Sequence, residues 1–339
     1  MKRFFLLTLA SAALLGASAA PVKTYEVKSP DGRLALVLTA GERLSFTVAR
    51  DGETLVAPSE MALTLSTGEV LGESPRVRSA RRRAVTETID APLYRQSRFD
   101  AAYNELDLRL RGDYGILARA YDDGVCYRFY TERDGELTIV DETAQLNFEG
   151  DPSAYIPYSK TEIPMRTSFE NTYEYAPLSK FRTQTVAFMP VLVDLGERGY
   201  VLYTESDVEA YPGVYLTYDK EAKGFAARFA EYPTETSLTK RFQDVVERSA
   251  DYIARVDGRR SYPWRIVAYA ATATELPVND MVWQTAEASR VADASWVRDG
   301  KIAWDWWNNW GVYGVDFKSG INTETYKHYI DFAAEYGLE

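Results

Sequence analysis

The run Tyr25-Glu26-Val27-Lys28-Ser29-Pro30-Asp31-Gly32-Arg33-Leu34-Ala35-Leu36-Val37-Leu38 joins two short alternating segments through a turn. An Asp-Gly pair between alternating runs is the strongest short-range hairpin signal. The same grammar recurs downstream. Asp51-Gly52 separates Leu44-Ser45-Phe46-Thr47-Val48 from Thr54-Leu55-Val56, and Asp123-Gly124 and Asp134-Gly135 are expected to turn the chain in the same way. From about Lys23 to Ala273 this texture continues without a helical period, which predicts antiparallel sheets packed as a sandwich. The length of that region favours one large sandwich of many strands. The run Arg81-Arg82-Arg83 reads as a solvated loop, and no internal repeat stands out.

The texture changes after about Leu276. Asn279 is suited to cap a helix running through Met281, Val282, Thr285, Ala286 and Ser289. Lys301-Ile302-Ala303-Trp304-Asp305-Trp306-Trp307 then reads as an apolar strand, followed by a loop from Asn308 to Asn322. Thr323 to Tyr336 reads as a helix, because Tyr326, Tyr329, Ile330 and Ala333 fall at i, i+3, i+4, i+7. Asn322 and Gly337 suit its two caps. Strand, loop, helix and the first step of another strand make an unfinished βαβ unit. A parallel strand needs a neighbour reached by a crossover, so the domain beginning near residue 280 reads as incomplete.

Composition narrows the function. Lys2 and Arg3, the apolar run from Phe4 to Ala17, and Ala17-Ser18-Ala19 form a secretory leader over residues 1–19. The mature chain is therefore expected to be exported, to the periplasm or the medium, and no later run is apolar enough to span a membrane. A single cysteine, Cys126, excludes an internal disulfide and reads as a small buried hydrophobe. The formal charge of −11 shows no basic footprint for nucleic acid. With His328 as the one histidine, multi-histidine zinc sites are excluded, so any chemistry is expected to run on carboxylates or on residues outside this sequence. The 24 tyrosines and 7 tryptophans permit stacking on sugar rings as well as core packing. No feature points to a protein partner.

Four segments carry a family resemblance. Ala303-Trp304-Asp305-Trp306-Trp307-Asn308-Asn309-Trp310, with Tyr313-Gly314-Val315-Asp316-Phe317 and Gly320 to Tyr326, closely resembles the first barrel strand, loop and helix of glycoside hydrolase family 97. Ala120 to Phe129, Thr204-Glu205-Ser206-Asp207-Val208 with Tyr211-Pro212, and Tyr262-Pro263-Trp264-Arg265-Ile266-Val267 resemble segments of that family's amino-terminal domain. The resemblance covers nearly the whole mature chain. It implies an amino-terminal β-super-sandwich over residues 20–278 and, over 279–339, a linker helix and the first βα unit of a truncated (β/α)8 barrel. It further implies exo-acting hydrolysis of α-linked glucosides or galactosides, with calcium in the active site and an oligosaccharide as substrate. Some members invert with a glutamate base and others retain with an aspartate nucleophile. In both kinds the catalytic groups lie on later barrel strands, beyond Glu339, so no catalytic residue is assigned here.

The resemblance also implies a calcium-ligating glutamate from the sandwich. Ser168-Phe169-Glu170-Asn171-Thr172-Tyr173 matches its segment, which makes Glu170 the candidate metal ligand, with Phe169 in place of an expected tyrosine and Glu174 a close competitor. Calcium takes several oxygen ligands, so one sandwich glutamate supplies only part of a shell. Trp306 and Asn308 sit at the carboxy-terminal end of the expected first barrel strand, where barrel active sites are built, and are candidate substrate contacts. Alternation would place Trp304 and Trp306 on one face and Asp305 and Trp307 on the other, so one pair packs as structure. Asp305 as a catalytic carboxylate does not fit the family's pattern. The competing reading is a stand-alone carbohydrate-binding or structural sandwich, since sandwiches host many functions. The segment from Trp304 to Leu338 argues against it, because a binding module has no use for the start of a βαβ unit.

Overall fold

The computed structural model describes residues 22–159, 171–238 and 244–338. The leader assigned to residues 1–19 lies outside them. The chain divides into two compact units between Glu287 and Ala288.

The first unit is a two-layer antiparallel sandwich. In one layer β1 (Lys23–Lys28), β2 (Leu34–Ala40), β3 (Leu44–Arg50) and β4 (Glu53–Leu65) form a meander. The layer continues from β4 through β10 (Leu146–Asn147) to β16 (Gly224–Phe229) and β15 (Val214–Asp219). The other layer runs β6 (Val77–Asp90), β7 (Arg98–Leu110), β8 (Tyr114–Tyr121), β9 (Gly124–Ala144) and β20 (Trp264–Ala270). It then continues to β14 (Tyr200–Ser206), β13 (Val191–Asp194), β11 (Ser153–Ile156) and β12 (Glu174–Pro177). The far halves of β4 and β9 pair with each other and tie the layers together, joined by β5 (Val70–Leu71) and β19 (Ala254–Ser261). A separate hairpin, β17 (Pro233–Leu238) with β18 (Asp244–Ser249), forms its own small sheet.

Alternation explains the core. Leu34, Leu36, Leu38 and Ala40 are buried while the residues between them are half-buried, the signature of a strand with one covered face. The turn before β2 forms as expected: Gly32 takes φ 77° and donates to the Ser29 carbonyl at 2.9 Å. The main core lies between the layers and includes Phe46, Ile116, Phe129 and Phe225. A smaller cluster of Tyr103, Tyr121, Cys126, Trp264, Ile266, Ala268 and Met281 lies on the outer face of the second layer. Every residue of β20 is therefore buried, because both its faces are covered. Cys126 is buried as read, and burial pushes its thiol up to about 12.

Three local expectations need correction. Asp134-Gly135 does not turn the chain; it lies inside β9, a strand of 21 residues, with Gly135 at φ 78°. The register with β19 shifts between Asp257 and Arg259 at this point, so the pair makes a bulge. A glycine at positive φ serves a bulge as well as a hairpin, and only the partner strand decides which. Arg81-Arg82-Arg83 is solvated but belongs to β6, an edge strand in which charges discourage pairing with another chain. The helix expected from Asn279 to Ser289 is only α1, Met281–Thr285, because Ala286 turns to extended backbone.

In the second unit the expected strand over residues 301–307 does not form: this stretch is extended chain ending in a 3-10 turn over Asp305–Asn308. A parallel strand exists only through hydrogen bonds to neighbours, and no described strand pairs with it. The helix is as read. The second helix, α2, spans Thr323–Tyr336; the Asn322 side chain accepts from the Thr325 N–H, and Gly337 closes the helix at φ 64°. Its expected apolar stripe is not buried, Ile330 being 66% exposed. No helix of the described residues is long and apolar enough to cross a membrane.

Candidate functional site

The three sandwich segments that carry the family resemblance meet at one place. Alternation along β20 sends Arg265 into the inter-layer core, where it is 1% exposed. Glu142 accepts from Arg265 Nε at 2.8 Å and from Nη2 at 2.7 Å, while Glu205 pairs with Nη1. The other Glu205 oxygen accepts from the Val214 N–H at 3.0 Å, tying β14 to the start of β15. Burial pushes the Glu205 carboxyl above its ordinary value, against the pull of Arg265. Burial likewise opposes the Arg265 charge, but its two carboxylates outweigh it and raise its pKa well above the usual arginine value. Two carboxylates sharing one sealed guanidinium serve structure, and Glu205 is committed to Arg265 and Val214.

Ser206, the next residue of β14, faces outward. Its hydroxyl lies 2.7 Å from that of Thr285, which donates to the Met281 carbonyl at 2.8 Å. Asp207 then leaves the strand in left-handed backbone at φ 55°. Its Oδ1 accepts from the Glu287 N–H at 2.9 Å, and its Oδ2 from Arg128 Nη1 at 3.2 Å. Arg128 stacks 4.4 Å over the Trp264 ring, and burial lowers its pKa despite Asp207. A cleft of about 270 Å³ opens here, lined in part by Arg128, Asp207, Arg260 and Glu287.

The other end of α1 is held as firmly. Asn279 Nδ2 donates to both the carbonyl and the carboxylate of Asp123, each at 3.1 Å. Asp280 accepts from the Tyr94 hydroxyl at 2.6 Å and from Arg95 Nη2 at 2.7 and 2.8 Å. Burial pushes the Asp123 carboxyl up to about 6. Met281 is fully buried over Gly124, where a Cβ would come within 2.1 Å of its Sδ.

Of the residues expected to form the site, only Trp306 and Asn308 are described, and they share one turn of the second unit. Glu170 lies outside the described residues. Of its segment, Asn171 Nδ2 donates to the Tyr158 carbonyl at 2.7 Å and the Tyr173 hydroxyl to the Pro190 carbonyl at 3.1 Å. Its competitor Glu174 is ion-paired with Arg182 through one carboxylate oxygen. Among the described residues no three acidic, cysteine or histidine side chains converge to hold a metal ion. In the second unit Trp306 is 62% exposed and Asn308 is exposed, both on the 3-10 turn. The expected alternation is absent: the Trp304 ring lies 5.6 Å from that of Trp306 and 6.0 Å from that of Trp307. Asp305 Oδ1 caps its own turn by accepting from the Trp306 N–H at 2.8 Å.

Sequence reasoning singled out Thr204 to Val208, Tyr262 to Val267 and Ala120 to Phe129 without seeing that they meet. One signal was present: an arginine inside the apolar run Trp264-Arg265-Ile266-Val267, which can be buried only with a carboxylate partner.

These features define a large antiparallel sandwich domain whose polar residues fasten the segment that leaves it. The family model described as the glycosyl-hydrolase 97 amino-terminal domain matches residues 27–287, and the chain belongs to glycoside hydrolase family 97. The retaining alpha-galactosidase of Bacteroides thetaiotaomicron is 38% identical over 325 residues, 94% of this chain and 49% of that protein. A probable retaining alpha-galactosidase of Streptomyces bingchenggensis is 29% identical over 317 residues, 91% of this chain and 43% of that protein. The chain thus spans about half the length of the curated relatives it matches. Among solved structures, a family 97 enzyme from Pseudoalteromonas sp. strain K8 in complex with acarbose matches with a TM-score of 0.75 at 20% identity, over 93% of this chain and 46% of that one. A beta-arabinopyranosidase matches with a TM-score of 0.72 at 20% identity, over 93% and 50%. At these identities the two structures establish the sandwich fold.

Proposed function

We propose that a polypeptide carrying this chain over the full length of its relatives is an exported, exo-acting α-glycosidase with α-galactosides as its substrate class and retention as its stereochemistry. One observation carries the reading: 38% identity to a retaining alpha-galactosidase across 94% of the chain. Retention requires two carboxyl groups about 5–5.5 Å apart, one as nucleophile and one as acid then base. Neither role is given to a residue of this chain. The contribution of the sandwich is a scaffold and, through Glu170, one carboxylate toward a calcium shell completed elsewhere. Trp306 and Asn308 are substrate contacts in this reading.

The test is hydrolysis of aryl α-galactoside and aryl α-glucoside by the full-length polypeptide, with the anomer of the released sugar followed by NMR. Preferential release of α-galactose supports the proposal, and a preference for glucoside or release of the β-anomer overturns its substrate or its stereochemistry. The chain of 339 residues alone is expected to release neither sugar. In the full-length polypeptide Glu170→Gln should weaken calcium binding measured by titration, and unchanged affinity would remove Glu170 from the shell.

A further inference from the structure

Residues 279–287 are held to the sandwich by bonds that have no part in the sandwich itself. Five independent attachments act on nine residues: Asn279 on Asp123, Asp280 on Tyr94 and Arg95, Met281 over Gly124, Thr285 on Ser206, and the Glu287 N–H on Asp207. A five-residue helix has too few internal hydrogen bonds to persist alone in water, so its geometry is imposed by these contacts. The last of them sits at the final residue of the first unit. Asp207 is placed for it by an uncommon left-handed backbone and by Arg128, whose guanidinium is fixed against Trp264.

We propose that Asp207 is a positioning residue: it fastens the backbone at Glu287 and so sets the course on which the chain leaves the sandwich. Its two oxygens divide the task. One receives the Glu287 N–H and the other holds Arg128, so the exit segment is tied to β9 and β14 at once. A merely flexible linker would carry no such bonds, and a rigid exit is what a multi-domain enzyme needs if its sandwich is to hold a fixed relation to chemistry done elsewhere. The anchoring itself does not depend on the activity proposed above.

Hydrogen exchange on the full chain tests it with two variants. In Asp207→Ala the amides of residues 282–287 should exchange roughly tenfold faster or more, while those of β9, β14 and β20 keep their protection. Asp207→Asn keeps an amide oxygen to accept from the Glu287 N–H and should restore most of the protection. Unchanged exchange at Glu287 in the alanine variant would overturn the proposal. So would loss of protection throughout the sandwich, which would mark a purely structural residue, or an asparagine variant as labile as the alanine one.

Discussion

Asp123 shows how one side chain converts burial into a pH dependence. Its carboxyl rises from 3.8 to about 6 because desolvation disfavours the charge, with Asp280 and Asp122 adding to the effect. Between those values the folded state holds a proton that the unfolded state has lost. The contribution of this group therefore favours folding at low pH and fades as the pH rises through about 6. At pH 7 the buried charge costs up to about 3 kcal/mol. Asp123→Asn should be more stable than the native chain at pH 7 by ~1–3 kcal/mol, with the gap closing near pH 4. Denaturant unfolding at the two pH values checks this, and a native chain that is the more stable at pH 7 would refute it. The Arg265 network behaves differently. Glu142→Gln breaks a buried, bidentate pair and should cost about 3–5 kcal/mol by the same measurement.

At the scale of the element, β2, β9 and α1 make different demands. On β2 the alternation alone determines burial, and Leu36→Ala should cost about 2–5 kcal/mol by leaving a cavity between the layers. The start of β9 is a question of fit. A Cβ at Gly124 would meet the Met281 Sδ at 2.1 Å and the Ala268 Cα at 2.8 Å, so Gly124→Ala must displace α1 or β20. That change should lower the melting temperature and raise exchange in residues 281–285, and a variant that melts like the native chain would show that the strands relax without cost. The hairpin at Ser29 to Gly32 was legible in the residues because its signal is local. The bulge at Asp134-Gly135 was not, since it depends on Gly258 across the ladder. The expected strand at residues 301–307 failed for a related reason, as a parallel strand is defined by its partners.

This chain forms an antiparallel sandwich and a second unit that leaves large apolar side chains exposed. Trp296, Ile302, Trp307 and Ile330 of the second unit are 76%, 74%, 81% and 66% exposed. Exposed apolar groups of this number promote association. A chain ending at residue 287 should therefore melt at the same temperature as the full chain and self-associate less, which calorimetry and light scattering would show. A large drop in melting temperature would mean that the sandwich depends on residues 288–339 for its stability.

The residues alone determined the antiparallel sandwich, most of its early turns, the burial of Cys126, the caps and extent of α2, and the family. Each rests on a period, a cap or a local motif, information that lies within a few neighbouring residues. Only the tertiary structure decided that Glu205 faces Arg265 while Ser206 and Asp207 face the exit segment. It also decided that Glu142, Arg128 and Gly124 of β9 meet Arg265, Asp207 and Met281, partners distant in sequence. Those relations depend on which strands pair and in what register, and a one-residue shift of register would turn every one of those side chains to the opposite face.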